Sequence, residues 1–135
     1  MEKTFAIIKP DVVAAKNAGK VVSMIESNGF DILKMEKKNW TKADAEQFYA
    51  IHKERPFFGE LVEFMTSGPI VMMVLEKDGA VLAWRDLMGA TNPAEAADGT
   101  VRKLYGTDIG TNATHGSDAA ETAKLEIGQF YPELV

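Results

Sequence analysis

The sequence predicts an α+β fold, an α/β sandwich in which helices cover a four-stranded antiparallel sheet. Three observations carry that prediction. Ile70 to Leu75 is an unbroken apolar run, the pattern of a central strand covered on both faces. Thr4 to Ile8 is a second short apolar segment, ended by Lys9-Pro10 because proline removes a ladder donor. Around these runs, apolar residues recur at helical spacing.

Taken in order, Gly19 to Asn28 reads as a helix with Val21, Val22, Met24 and Ile25 as its apolar stripe. Gly29 takes the left-handed position past its end, and Phe30 supplies the hydrophobic contact that follows. Ile32 to Trp40 is the next strand, with imperfect alternation. Thr41 caps a helix running to about Lys53. Pro56-Phe57-Phe58-Gly59 interrupts it, and Glu60 to Thr66 is helical again before the turn Ser67-Gly68-Pro69. Beyond the central strand, Asp78 caps a helix through Met88, closed by Gly89. Ala90 to Thr111 has almost no periodicity and reads as a long loop, a feature usually functional in compact domains. After a short strand, Asp118-Ala119-Ala120-Glu121 has capping-box spacing for a last helix through about Gln129. Removing the inserted helices leaves β-α-β-β-α-β, a ferredoxin-like sheet with its helices on one face. A single domain over residues 1–135 is expected.

The net charge of −5 argues against broad, sequence-independent nucleic-acid binding. An anionic ligand must therefore be met by a few placed cations. The arginines are only three, Arg55, Arg85 and Arg102. With no cysteine, neither a disulfide framework nor a thiolate metal site is available. Met1-Glu2-Lys3 runs straight into a strand without a signal-peptide core, and no apolar run reaches bilayer length, so a cytoplasmic protein with no membrane partner is expected. Gly19-Lys20 lacks the upstream glycine spacing of a Walker loop, and the protein-kinase set and H-E-x-x-H are missing.

His115 is the foremost candidate for chemistry. It stands just ahead of the helix expected at Asp118, and a helix N-terminus offers unpaired N–H groups to a phosphate. Gly116 would let the backbone approach a ligand, and a neutral imidazole is a competent nucleophile. Lys9, Arg85 and Arg102 are the cations placed to meet an anion. Phe57 and Phe58 could offer a stacking surface. Tyr49 and His52 lie at i,i+3 on one expected helix and so share a face. Taken singly, each has a plainer reading as turn, core or solvated surface.

Together these residues resemble the nucleoside diphosphate kinase family. The resemblance spans Thr4 to about Pro132 and is most specific at Asn112-Ala113-Thr114-His115-Gly116-Ser117-Asp118. Ile8-Lys9-Pro10-Asp11, Arg55-Pro56-Phe57-Phe58, Thr66-Ser67-Gly68-Pro69 and Gly89-Ala90-Thr91-Asn92-Pro93 follow the family's order. The resemblance implies that His115 takes the γ-phosphoryl group of ATP or another nucleoside triphosphate and passes it to a nucleoside diphosphate. Lys9 and Asn112 would reach sugar and phosphates, Arg85 and Thr91 the β-phosphate, and Arg102 the transferring group. Phe57 would stack on the base, and Tyr49 would sit beside the phosphohistidine. Ser117 and Glu126 would orient the imidazole, and His52 could contact the α-phosphate. Mg²⁺ would enter with the nucleotide, held by phosphate oxygens rather than by the protein. The resemblance also implies a homo-oligomer, a dimer-based tetramer or hexamer, with no nucleic acid as primary partner. The chain stops at Val135 without the C-terminal extension of larger members, which leaves both assemblies open.

Overall fold

In the computed structural model, which describes residues 1–135, strand β1 (Glu2–Ile8) lies inside a four-stranded sheet. It pairs antiparallel with β3 (Ile70–Lys77) from Glu2 opposite Lys77 to Ile8 opposite Val71. The sheet order is β2-β3-β1-β4, with β2 (Asp31–Lys38) and β4 (Thr114–Gly116) on the edges and every pairing antiparallel. That is the ferredoxin-like arrangement expected from element order.

Period-2 alternation divides the sheet residues between two layers. Phe5, Ile7, Ile70, Met72 and Val74 pack with residues of α3 (Lys42–Phe48), α4 (Phe58–Met65) and α7 (Ala120–Phe130). Ala6, Ile8, Val71, Met73 and Leu75 pack with residues of α1 (Pro10–Ala14), α2 (Ala18–Ser27) and α5 (Ala80–Met88). Helices therefore cover both faces, not one. The helices inserted between β2 and β3 join α7 in the second layer, which explains why β3 has no polar face.

Local chemistry sets the ends of these elements. At the end of α2, Gly29 has φ 83°, its N–H bonds the Glu26 carbonyl, and the Phe30 N–H reaches back to the Ile25 carbonyl. This pair of bonds is the Schellman motif that glycine permits. A register shift between Ile32 and Lys34 explains the imperfect alternation of β2, because a bulge changes which face the later side chains take. Thr41 and Asp44 form a reciprocal capping box at the start of α3.

Several boundaries differ from expectation. The α3 helix stops at Phe48, Tyr49 is its C-cap, and Ala50–His52 form a separate 3₁₀ turn. Tyr49 and His52 thus do not share one helix face. Gly79, in the left-handed region at φ 63°, replaces Asp78 as the N-cap of α5. The stretch from Ala90 to Thr111 contains a 3₁₀ turn at Pro93–Glu95 and the short helix α6 (Val101–Tyr105), capped by Asn92 and Thr100 respectively. Short helices with few apolar anchors leave little periodicity to read. The last helix starts at Ala120 with Ala119 at its N-cap, so Asp118 forms no capping box; it pairs with Arg85 instead.

Candidate active site

His115 sits in β4, opposite Ile7 of β1, and not at a helix N-terminus. The difference arises because β1 recruits Thr114–Gly116 as a strand, while α7 begins one residue later than an Asp118 N-cap would give. Its imidazole is fixed from the α7 side, where Nε2 lies 3.0 Å from Glu126 Oε1. Ser117 Oγ donates to the same oxygen at 2.8 Å and also accepts the Phe5 N–H at 3.1 Å, extending the β1–β4 ladder through a side chain. With Glu126 as the acceptor, Nε2 takes the ring proton, and in the neutral imidazole Nδ1 then keeps its lone pair. Phe48 meets the imidazole edge-on, with ring centroids 5.0 Å apart at 75°.

A second network holds the cations. Lys9 is buried, and its Nζ donates to Asn112 Oδ1 at 2.8 Å, while Asn112 Nδ2 donates to the Thr91 carbonyl at 3.0 Å. Burial, then the neighbouring Arg102 charge, lower the Lys9 pKa to about 8. Arg102 extends from α6, not from a structureless loop, and donates to the carbonyls of Asn112, Gly89 and Thr114. Burial, then Arg85, bring its pKa down to about 10, so it stays charged at neutral pH. Those three bonds use three of five guanidinium N–H groups, which leaves two for a ligand.

These side chains converge on one cavity of about 250 Å³, lined among others by Lys9, Tyr49, His52, Phe57, Thr91, Arg102, Asn112, His115, Gly116 and Glu126. Phe57 is half-exposed at the mouth, 5.6 Å from the His52 ring. The Tyr49 hydroxyl is buried without a partner, and burial followed by the Glu126 charge raises its pKa. Arg85 and Ser117 line an adjoining depression that shares Thr91, Arg102, Gly116 and Asp118 with the cavity. Arg85 is the outermost cation, 3.6 Å from Asp118. A larger, mainly apolar cavity of about 690 Å³ adjoins through Phe48 and Glu126, but none of these site cations enters it.

Gly116 lines the cavity and also has a packing role that was not expected. A Cβ there would stand 2.5 Å from Trp84 Cδ1 and 2.6 Å from Met88 Cε, so packing against α5 by itself demands glycine. Three features escaped the sequence reading: the Phe48 ring on the His115 imidazole, the Trp84 indole N–H on the His115 carbonyl at 3.0 Å, and the left-handed Ala113 at φ 76°. A sequence holds no local signal for contacts between residues 31 or 67 positions apart. No group of three or more His, Asp or Glu side chains is placed to hold a metal ion.

Comparison with known proteins agrees with this geometry. The family model described as nucleoside diphosphate kinase matches residues 2–134. A nucleoside diphosphate kinase from Phenylobacterium zucineum is 56% identical over 132 residues, covering 98% of this chain and 95% of that protein. One from Desulfotalea psychrophila is 54% identical over 134 residues, covering 99% and 98%. Among solved structures, the Aquifex aeolicus nucleoside diphosphate kinase superposes with a TM-score of 0.96 at 41% identity, covering 98% of this chain and 96% of that one. The Halobacterium salinarum enzyme, solved in complex with CDP, gives 0.92 at 39% identity, covering 96% and 87%. The fold, the histidine-centred cavity and these similarities agree: the chain belongs to the nucleoside diphosphate kinase family.

Proposed function

We propose that His115 carries a phosphoryl group between nucleotides through Nδ1, and that the cavity around it is the nucleotide site. The supporting observation is the Glu126–His115 bond, which commits Nε2 and leaves Nδ1 as the free nucleophile in a cavity lined by cations. In the first half-reaction the Nδ1 lone pair attacks the γ-phosphorus. The bond from that phosphorus to its bridging oxygen breaks, and the nucleoside diphosphate leaves. In the second half-reaction a terminal phosphate oxygen of an acceptor diphosphate attacks the phosphohistidine and restores the imidazole. Donor and acceptor use one site in turn, which gives ping-pong kinetics.

Phosphoryl transfer asks for positioning and charge neutralisation more than for covalent chemistry. Arg102 and Lys9 offer their remaining donors to the transferring group, with Asn112 beside Lys9 for sugar and phosphate. Arg85 and Thr91 hold the β-phosphate from the adjoining depression. Phe57 stacks on the base without reading its edges, and His52 beside it reaches the α-phosphate. Tyr49 packs beside the phosphohistidine. Mg²⁺ would come with the nucleotide on its phosphate oxygens and supply further charge neutralisation there.

Self-association belongs to the same reading. The edge strand β2 exposes Leu33 and Met35 beside unpaired backbone, a surface suited to a second copy. A dimer-based tetramer or hexamer in the cytoplasm is the assembly proposed, and light scattering of the purified chain reads its mass. No helix is long and apolar enough to cross a membrane. For the chemistry, the protein is mixed with γ-labelled ATP. An acid-labile, base-stable label should form and be discharged by GDP. A His115→Gln variant that still took the label would overturn the assignment.

A further inference from the structure

Trp84 is fully buried on α5, and a buried indole N–H needs an acceptor. It finds one in the carbonyl of His115 at 3.0 Å. One face of the environment is Phe30, met edge-on at 6.3 Å and 84°. The ring also fills the space that glycine leaves at position 116. The next residue, Arg85, reaches Asp118 at 3.6 Å. Adjacent residues of α5 therefore grip the chain at two points, 115 and 118. Strand β4 has only three residues and pairs with β1 alone, so its own ladder is a weak anchor.

We infer that Trp84 is a positioning residue for phosphoryl transfer: its N–H ties the backbone of His115 to the helix that carries Arg85. Resting on the reading of His115 as nucleophile and Arg85 as phosphate clamp, this makes nucleophile and clamp one rigid body. Packing alone would be served by any ring of similar size. The N–H is the part that packing does not require.

The test separates donor from filler. Trp84→Phe keeps a ring and loses the N–H; Phe30→Leu loosens the same packing and keeps the N–H. Each variant is mixed with γ-labelled ATP in a single-turnover experiment, beside its thermal midpoint and its steady-state kinetics. Trp84→Phe should slow labelling about tenfold, with KM for ATP within about twofold of the parent. Phe30→Leu should lower the thermal midpoint and label at the parent's rate. Labelling at the parent's rate in Trp84→Phe overturns the inference. So does an equal slowing in both variants at matched thermal loss, which would make the role packing alone. Should Trp84→Phe fail to fold, β-(3-benzothienyl)alanine at position 84 supplies the indole shape without the donor, with the same two outcomes. The His115 reading stands or falls separately, on whether His115→Gln abolishes the label.

Discussion

Glu126 Oε1 receives two donors at once, His115 Nε2 at 3.0 Å and Ser117 Oγ at 2.8 Å. One carboxylate oxygen thereby fixes both the tautomer and the tilt of the imidazole, and the serine fixes the carboxylate. Glu126→Gln keeps the shape, but an amide turned to donate would force Nε2 to accept and Nδ1 to carry the proton. The rate of phosphoenzyme formation should fall by roughly 10- to 100-fold, the scale of a misplaced reacting group. Ser117→Ala should cost less, because Nε2 retains its partner. Rapid-quench labelling of both variants checks the order, and equal rates for Glu126→Gln and the parent would remove Glu126 from the site.

Lys9 makes activity and stability move in opposite directions with pH. Its pKa is about 8 in the folded protein against 10.5 in the unfolded chain. The free enzyme loses this cation as the pH rises through about 8, so kcat/KM for nucleotide should fall on the alkaline side with a midpoint near that value. Bound phosphate favours the charged form, so kcat should hold to higher pH. For stability the sign reverses. Between about 8 and 10.5 the unfolded chain binds the proton and the native chain does not, so the burial cost is relieved as pH rises. Unfolding free energy should gain up to about 1.4 kcal/mol per pH unit in that window. Urea titrations at two alkaline pH values, with Lys9→Met lacking the gain, read this directly.

Gly116 should prove a packing position. The substitution Gly116→Ala forces a methyl to 2.5 Å from Trp84 and 2.6 Å from Met88, both fully or nearly fully buried. Overpacking of this kind costs about 1–3 kcal/mol. The loss should show as a lower urea midpoint without a change in slope, and it should persist in a His115→Gln background, where no chemistry depends on the residue. A variant as stable as the parent would return Gly116 to a ligand-approach role.

What the sequence made legible follows from the range of the interactions. The Ile70–Leu75 run, the Thr41 N-cap and the Gly29 turn are local patterns and stand where expected, although the helix that Thr41 opens ends at Phe48 instead of near Lys53. Lys9, Asn112 and His115 were marked by motif, although no spacing rule brings residues 103 positions apart to 2.8 Å. The misread places are those where a long-range partner outbids local chemistry. Asp118 had a capping box within reach and pairs with Arg85 on another helix. Helix α6 lacked periodicity because its buried residues, Val101 and Arg102, serve the core and the carbonyl network rather than an apolar stripe. His115 resembled a helix-start residue and is a strand residue, because β1 recruits it as a partner.

Phe57, proposed above as the ring that stacks on the base, lines the cavity and is half-exposed. Its ring is 47% exposed beside His52, with no hydrogen-bonding side chain of its own to read a base edge. Stacking accepts any base because every base has a π-face, and it contributes about 1–3 kcal/mol per base. Phe57→Ala should therefore raise KM for adenine, guanine and cytosine nucleotides by similar factors and leave their ratios near those of the parent. Its kcat should change little, because the proposed phosphate clamp is intact. Parallel steady-state measurements with the three nucleotides decide the matter. A loss confined to one base would mean that Phe57 orients that base against an edge-reading group, and stacking would no longer explain its place at the mouth.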